Sequence, residues 1–590
     1  MIGVAVKVSF SGKNFKIECL DNDLLLSMQS VMDGDKVRMK PEIIIPLKSA
    51  IHLEKFKNYE IEYGDGVWKT IEAIINNNER RRVNIFKIKK QYGGDITFDY
   101  ECKGKYPPLN NQKVMFNAIY YSDCSALLAE PGTCKTAPYL WAIDKRIKNG
   151  NIKKALVITL ADLKENIVEE ARIQTPDLKL VILNNLSQNK KIINKQFKSE
   201  KKNIDYDVYV ANYESMSSIT EFLPEDFFDM VVCDEAHRIG SPRANQTKSI
   251  ISAFENTKYK HIITGTLHAN NLMSFYMPFR FLGADTVPYA NYYTFRQKYM
   301  YPVDPDQYIW VPSAGAKEMV KKMTGDLSVM FTKEECLDLP PRIYEKYSCE
   351  LEGDQKKIYE AMKKDLIGII DDMCNKCTKK DNCDNSCSEE IAAKSALVLY
   401  GKLHQIASGF YINTRTKIDD EGHRENDSNI IILDSNPKLR LLIETLNNIP
   451  EDRQVIIWTN YICAVQLISK ALENAFGKES YITCFGNQNA YEQVKLFESS
   501  KCSYCVANPA KMGIGQNIQF SNYQVFFSNS YSWILRDQAE GRQHRQGQKE
   551  NVTVIDLLVK DTIDESILKA LMNKQDLALT LSQMSRVLKK

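Results

Sequence analysis

Val231-Val232-Cys233-Asp234-Glu235-Ala236-His237-Arg238-Ile239 is the stretch whose reading decides the fold. Two apolar residues and a cysteine lead directly into two acids. A short apolar run that ends so abruptly reads as a buried strand delivering carboxylates to its C-terminal edge. Asp234 then suits Mg²⁺, held directly or through water, and Glu235 suits a water to be polarised for attack on a phosphate. A strand that merely ends in a charged turn has the same letters and no chemistry. The flanking segments separate the two.

Upstream, the apolar run Ala126-Leu127-Leu128-Ala129 enters Glu130-Pro131-Gly132-Thr133-Cys134-Lys135-Thr136. Strand, small-residue loop, Lys-Thr and helix together make a phosphate cradle. Backbone N–H groups of Gly132, Thr133 and Cys134 surround a β-phosphate, Lys135 reaches the β and γ oxygens, and the Thr136 hydroxyl binds Mg²⁺. The pattern departs from the usual one in two places. Cys134 occupies a position where glycine lets the backbone approach phosphate, and Ala129 replaces the first glycine. Around this loop, Ala155–Thr159, Asp207–Ala211, Met230–Val232 and Lys260–Thr264 are expected strands separated by helical stretches. That alternation predicts an α/β fold, a doubly wound parallel sheet with ligands at the strand C-termini.

A second αβ series follows downstream. Gln454–Trp458, Ser503–Ala507 and Gln524–Ser528 are expected strands, and Ile462–Phe476 a helix. Between them lies the loop Lys511–Asn517, which carries Gly513 and Gly515, and after them the run from Gln538 to Gln548. Arg542 and Arg545 stand three apart and are expected to share a helix face. Two arginines projected from one lobe can neutralise a γ-phosphate held by another, which is arginine-finger chemistry; a basic exposed helix is the plain alternative.

The chain has 590 residues, enough for about three to four domains. Its 44% hydrophobic and 26% charged residues are ordinary for a soluble globular protein, which excludes a fibrous or wholly disordered chain. A net charge of +3 neither demands nor excludes nucleic acid. No apolar run approaches a membrane span, and the opening MIGVAVKVSFSGKNFKI alternates like a strand without a signal peptide's apolar core. A cytoplasmic location is expected, in the host cytoplasm if the source is viral. The fifteen cysteines then read as thiols and metal ligands.

Residues 1–104 read as a small α+β domain, with alternating Val4–Phe10 and Asn14–Cys19, apolar Ile43–Leu47 and helical Ser49–Lys57. Its basic cluster Arg80, Arg81, Arg82, Lys87, Lys89 and Lys90 either tracks phosphates or is a solvated face. Residues 105–340 are the first lobe, with an irregular insertion crowded with Tyr and Pro at Val287–Pro312. Residues 341–575 are the second lobe, and 576–590 a basic tail. Within the second lobe, the insertion 373–388 holds Cys374, Cys377, Cys383 and Cys387 as C-x2-C-x5-C-x3-C. Four thiols so close in a polar loop suit tetrahedral Zn²⁺, which would staple the insertion; an iron–sulfur cluster and unligated thiols are the alternatives.

These motifs carry a resemblance over residues 106 to 575. Gln112, Lys135-Thr136, Asp234-Glu235-Ala236-His237, Thr264-Gly265-Thr266 with Asn270-Asn271-Leu272, Met512–Asn517 and Gly541–Gln548 occur in the order seen in Swi/Snf-type helicase-like ATPases of helicase superfamily two. The last, GR-x-HR-x-GQ, is the most specific. The resemblance implies two RecA-like lobes on double-stranded DNA, with ATP and Mg²⁺ in the cleft between them. It implies a DNA-dependent ATPase that translocates on duplex DNA, branched or forked DNA included, or remodels nucleoprotein in repair, recombination or replication. A strand-separating helicase and a weak ATPase acting as a DNA clamp are the alternatives, and no protein partner is indicated. It further implies that Gln112 contacts adenine, that Thr264 and Thr266 couple nucleotide state to DNA grip, and that Gly513 and Gly515 line the cleft. Gln538, Arg542 and Arg545 would come across from the second lobe. Asn212-Tyr213-Glu214 resembles a segment that contacts the DNA backbone. Cys134, Pro131 and Ile158-Thr159-Leu160 depart from the family's pattern, and the compact form resembles viral or bacterial members.

Overall fold

The computed structural model describes residues 6–36, 40–104, 107–184, 188–193, 206–265, 272–302, 310–337, 339–375, 399–418, 424–499, 502–513 and 517–573. The chain divides into two compact units, Met1–Pro302 with Trp310–Cys336, and Val303–Ile309 with Leu337–Lys590.

The first unit opens with a small sheet. Its strands are β1 (Val6–Ser11), β2 (Asn14–Cys19), β3 (Asp35–Lys36), β4 (Glu42–Pro46) and β5 (Ile61–Tyr63), in the order β3-β4-β2-β1-β5. The β1–β2 hairpin turns at Gly12, whose φ of 59° suits a residue without Cβ. Alternation along the strands sends Val6, Val8, Phe15, Ile17, Ile43 and Ile45 inward against the helix Asn22–Met32. Asp21 caps that helix by accepting from the N–H groups of Asp23 and Leu24.

The helix Val67–Gln91 then joins two cores. Val67 and Ile71 complete the small core, while Ile85 and Ile88 belong to the next one, together with partly buried Tyr92, Ile96, Phe98 and Tyr100. The two cores therefore meet along this helix and not at residue 104. Arg81 sits on its inner face, buried, donating to Asp123 at 2.7 and 2.6 Å and to Asp285. Arg82 pairs with Asp326 at 3.1 Å. The basic cluster is thus split: Arg81 is an internal ion pair, and no continuous phosphate-tracking face includes it.

Seven parallel strands form the main sheet of this unit. They are β6 (Cys124–Ala129), β7 (Ala155–Thr159), β8 (Leu180–Ile182), β9 (Val208–Asn212), β10 (Met230–Asp234), β11 (Tyr259–Thr264) and, after an antiparallel pair β12 (Met300–Pro302) and β13 (Trp310–Pro312), β14 (Ser328–Phe331). The order is β14-β6-β11-β10-β7-β9-β8. Every residue of β6, β7, β10 and β11 is buried, as a sheet covered on both faces requires. The described part of the insertion expected to be irregular is structured. Asn291 caps the helix Tyr292–Tyr299 and the aromatics pack on one another, with Tyr276 and Phe295 rings 4.6 Å apart. Tyr-rich composition hid a helix whose stability comes from tertiary ring packing rather than propensity.

In the second unit, β15 (Arg342–Cys349), β18 (Val455–Trp458), β19 (Tyr481–Cys484), β20 (Tyr504–Ala507), β21 (Tyr523–Phe526) and β22 (Val552–Val559) form a six-stranded parallel sheet. Its order is β15-β22-β21-β18-β20-β19. A separate antiparallel hairpin pairs β16 (Phe410–Ile418) with β17 (Arg424–Ile432). The helix Gly353–Asn375 carries the backbone of Cys374 in its last turn; Cys377, Cys383, Cys387 and the tail 576–590 lie outside the described residues. Both main sheets are α/β and wholly parallel, two RecA-like lobes. No described helix is long and apolar enough to cross a membrane.

Candidate nucleotide site

Parallel pairing places the chemistry of the first unit on one sheet edge. Thr264 pairs with Leu128, Asp234 with Ile263, Cys233 with Ile158 and Thr159 with Asn212, so β6, β11, β10, β7 and β9 all end together. β6 runs out into the loop Glu130–Lys135, and the helix Thr136–Lys148 starts immediately after it.

The loop is held from three sides. The Asn111 side chain donates to the Thr133 carbonyl at 3.0 Å, and Gln112 Nε2 donates to the Cys134 carbonyl at 3.2 Å. Gln112 Oε1 accepts from the Leu109 N–H at 2.9 Å, tying the helix Asn110–Tyr120 to its own start. Glu130 accepts from the Lys333 N–H at 2.9 Å, and its own N–H donates to the Phe331 carbonyl. On the third side, a Cβ added to Gly265 would meet Pro131 Cδ at 2.7 Å and the Ala129 carbonyl at 2.9 Å. Gly265 is thus the close-approach point between β11 and the loop.

Cys134 has a φ of 59° and Gly132 one of 95°. The cysteine adopts the left-handed backbone that glycine takes freely, at a cost of about 1–2 kcal/mol for a residue with Cβ. Glu235 has φ 54° and ψ 49°, so the DEAH turn is also left-handed. Two such residues on one sheet edge mark a strained, over-determined site.

Lys135 and Glu235 are both buried and face each other, Nζ to Oε1 at 3.8 Å. Lys135 Nζ also donates to the Ala129 carbonyl at 3.0 Å. Asp234 Oδ1 accepts from the Glu235 N–H at 3.1 Å, and Oδ2 from the Thr159 hydroxyl at 3.4 Å. Burial, and next the Glu235 charge, push the Asp234 carboxyl well above the usual carboxylate range; Lys135 and these hydrogen bonds pull it back. Tyr213, fully buried, donates from its hydroxyl to the Asp234 carbonyl at 2.7 Å. Asn212 and Arg238 both donate to Glu214, at 3.0 and 2.7 Å. The site therefore brings together Gly132, Thr133, Cys134, Lys135, Thr136, Asp234 and Glu235, with Gln112 bracing the loop. Thr159, Asn111 and Glu130 belong to it too; Glu130 opened the quoted loop without a role of its own, Thr159 stood in a segment that departs from the pattern, and Asn111 carried no signal.

An all-oxygen pair, the Thr136 hydroxyl and the Asp234 carboxylate, matches the donor chemistry of Mg²⁺. The buried acids Asp234 and Glu235 are adjacent, and a cation would relieve their mutual repulsion.

In the second unit, the helix Trp533–Glu540 ends at Gly541. Arg542 and Arg545 follow in turns, so they do not share a helix face as expected. The chain leaves the helix because Arg542 N–H bonds the Ala539 carbonyl and Arg545 N–H the Gln543 carbonyl, not carbonyls four residues back. Arg542 Nε donates to the carbonyl of buried Gln538 at 2.8 Å. The Ile518 N–H donates to the Arg542 carbonyl at 3.2 Å, and Gln543 donates to Ser521 and Tyr523. This ties the arginine segment to the residues just after the Gly513 loop; Gly515, like Thr266, Asn270 and Asn271, lies outside the described residues. Behind the segment, Arg536 donates to both Asp556 oxygens at 2.6 and 2.9 Å and to Glu540 at 2.6 Å. Arg342 and Tyr344 reach the other Glu540 oxygen at 2.9 and 2.8 Å.

The SNF2-related domain matches residues 64–408. The chain belongs to the SNF2-related domain family. It is 23% identical over 458 residues to an uncharacterized ATP-dependent helicase of Mycoplasma genitalium, covering 76% of this chain and 39% of that protein. It is 21% identical over 602 residues to the DNA repair and recombination protein RAD54B of Gallus gallus, covering 94% of this chain and 60% of the relative. The chain thus spans less than two thirds of either relative. Among solved structures, the Sulfolobus solfataricus SWI2/SNF2 ATPase core in complex with dsDNA overlaps 83% of this chain and 95% of its own at 20% identity, with a TM-score of 0.37.

Proposed function

We propose that the protein is a DNA-stimulated ATPase that translocates on double-stranded DNA, branched or forked forms included, or remodels nucleoprotein. The observation that carries this is the facing pair Lys135 and Glu235, with Asp234 beside them, on the edge that also carries the phosphate loop. In this reading Lys135 and the backbone N–H groups of residues 132–136 bind the β and γ phosphates of ATP. Thr136 and Asp234 hold Mg²⁺, which supplies charge neutralisation when bound. Glu235 Oε accepts the proton of the attacking water, with Lys135 Nζ 3.8 Å from that carboxylate. Arg542 and Arg545 supply positive charge from the second lobe. The fold, the site and the DNA-associated relatives support the same substrate.

The test is ATP turnover across duplex, forked and single-stranded DNA and RNA at a stated salt concentration. Turnover should rise with duplex DNA and disappear in Lys135→Ala and Glu235→Gln. Stimulation by single-stranded RNA but not duplex DNA would replace the substrate class. A fluorescence unwinding assay on a forked duplex separates translocation from strand separation. We also propose that Cys374, Cys377, Cys383 and Cys387 hold one Zn²⁺; elemental analysis finding neither Zn nor Fe would end that reading.

A further inference from the structure

The first unit contains a cavity of about 450 Å³ far from the phosphate loop. Its walls come from the 3₁₀ helix Leu47–Phe56, the helix Val67–Gln91, residues 285–288 and the helix Ala316–Leu327. Those walls are fixed to one another. His52 Nε2 lies 3.0 Å from the Ala284 carbonyl, and the Asn78 amide donates to the Asp285 carbonyl at 2.9 Å. Arg81 bridges Asp285 to Asp123, the residue just before β6. The cavity therefore lies toward the N-terminal edge of the sheet. The phosphate loop is at the other end of β6, about 20 Å away for a six-residue strand. It is a second site, separate from the nucleotide site above.

Its chemistry is sorted by depth. Val287, Pro288, Tyr299, Met319 and Met323 give an apolar, polarisable wall. Flat aromatic groups pack well against methionine sulfur and a tyrosine ring. His52, Asn78 and Thr286 are the polar groups. Lys55 and Lys322 stand at the rim, and neither has an ion pair among the described residues. The other charges lining it are spoken for: Arg82 pairs with Asp326, and buried Asp285 with Arg81, leaving exposed Glu54 as the one further acid lining the cavity. Lys55 Nζ rests 4.4 Å above the Tyr289 ring. Partial burial is the main cause that lowers the Lys55 ammonium; Glu54 raises it, and Lys298 and Lys322 lower it to a smaller extent. An anion beside Lys55 would favour its charged form.

We infer that this cavity binds one nucleotide unit, an unstacked base against the Tyr299–Met323 wall with its phosphate on Lys55 and Lys322. A volume of this size is within the range of pockets that enclose small ligands. The same chemistry is offered by a free mononucleotide and by an unpaired nucleotide of a DNA strand. The inference stands apart from ATP hydrolysis and is read by binding alone.

The full chain is titrated with a fluorescently labelled oligothymidylate, with thymidine monophosphate and with a labelled blunt duplex. The variants are Lys55→Ala with Lys322→Ala, which is confined to surface charges, and Met323→Trp, which fills the cavity. Both should weaken oligothymidylate binding about ten-fold while leaving blunt-duplex binding and duplex-stimulated ATPase within about two-fold. Binding of thymidine monophosphate that both variants abolish identifies a free nucleotide as a ligand; oligothymidylate sensitivity without it identifies the strand. Equal losses on oligothymidylate and blunt duplex would overturn the site as a general phosphate surface. Unchanged affinity for both single-nucleotide sources would overturn it outright, and the lysine variant decides alone if Met323→Trp does not fold.

Discussion

Gly265 approaches Pro131 so closely that a Cβ on it would lie 2.7 Å from the proline Cδ and 2.9 Å from the Ala129 carbonyl. The glycine that ends β11 is therefore a spacer between the phosphate loop and the strand beside the acids. Pro131 is a rigid ring in a held loop, so neither side yields cheaply. Gly265→Ala should destabilise the protein by about 1–3 kcal/mol and lower ATP turnover through a displaced loop. Thermal unfolding and steady-state ATPase check this; an unchanged melting temperature with full turnover would show that the loop gives way freely.

Cys134 should be a source of strain rather than a chemical participant. Its φ of 59° belongs to glycine, and its thiol lies 3.7 Å from the Gly132 carbonyl. Cys134→Gly should raise stability by about 1 kcal/mol, and Cys134→Ala, which keeps Cβ, should not. Comparing the two by urea unfolding separates backbone strain from loss of sulfur. If alanine stabilises as much as glycine, the thiol and not the backbone is the problem.

What could be read from sequence and what could not divide along physical lines. The buried parallel strands and the residues at their ends were legible because a parallel sheet buries both faces and leaves short apolar runs that end in polar chemistry. The DEAH acids, Lys135 and Thr136 fell where expected for that reason. Tertiary partners were not legible. Arg81 looked like part of a basic run and is a buried ion pair with Asp123 and Asp285, partners 42 and 204 residues away. The Arg542–Arg545 spacing suggested a helix, but the helix stops at Gly541, where backbone bonding changes within one turn. The helix Tyr292–Tyr299 was hidden because ring packing, not local propensity, holds it. Thr159 gave no signal as a ligand of Asp234, since its role depends on β7 lying next to β10.

Asp234 gives a pH dependence of definite sign. Its carboxyl is raised above the ordinary 3.8 by burial and by Glu235. Above pH 3.8 and up to the raised native value, the folded state binds more protons than the unfolded state. Stability contributed by this group therefore falls as pH rises through that window and is flat above it. Asp234→Asn lacks the penalty. It should be more stable than the parent at neutral pH by about 1–2 kcal/mol, with the difference vanishing toward pH 4, while losing ATPase activity. Unfolding measured across pH 4 to about 8 without nucleotide or Mg²⁺ tests the sign. A variant less stable than the parent at neutral pH would show that Lys135 and the Thr159 hydroxyl outweigh burial.

Arg536 should matter more for the second lobe than the arginines that follow it. It is buried, it satisfies both oxygens of Asp556 and one of Glu540, and its guanidinium lies 3.5 Å over the Phe526 ring. Arg342 and Tyr344 complete Glu540 from the neighbouring edge strand β15. Burial opposes charge on Arg536, and Asp556 and then Glu540 more than restore it. Removing the arginine leaves two carboxylates in a dry interior. Arg536→Met should therefore cost about 3–5 kcal/mol, whereas Arg545→Met, on a half-buried turn, should cost little stability. Because the network anchors the helix that ends at Gly541, its loss should also free the segment carrying Arg542. Hydrogen exchange over residues 533–548 reads this directly. Faster exchange there in Arg536→Met, with Arg545→Met like the parent, is the expected outcome; equal protection in both variants would mean that Gln543 and Gln548, bonded to residues 519–523, hold the segment without the ion pairs.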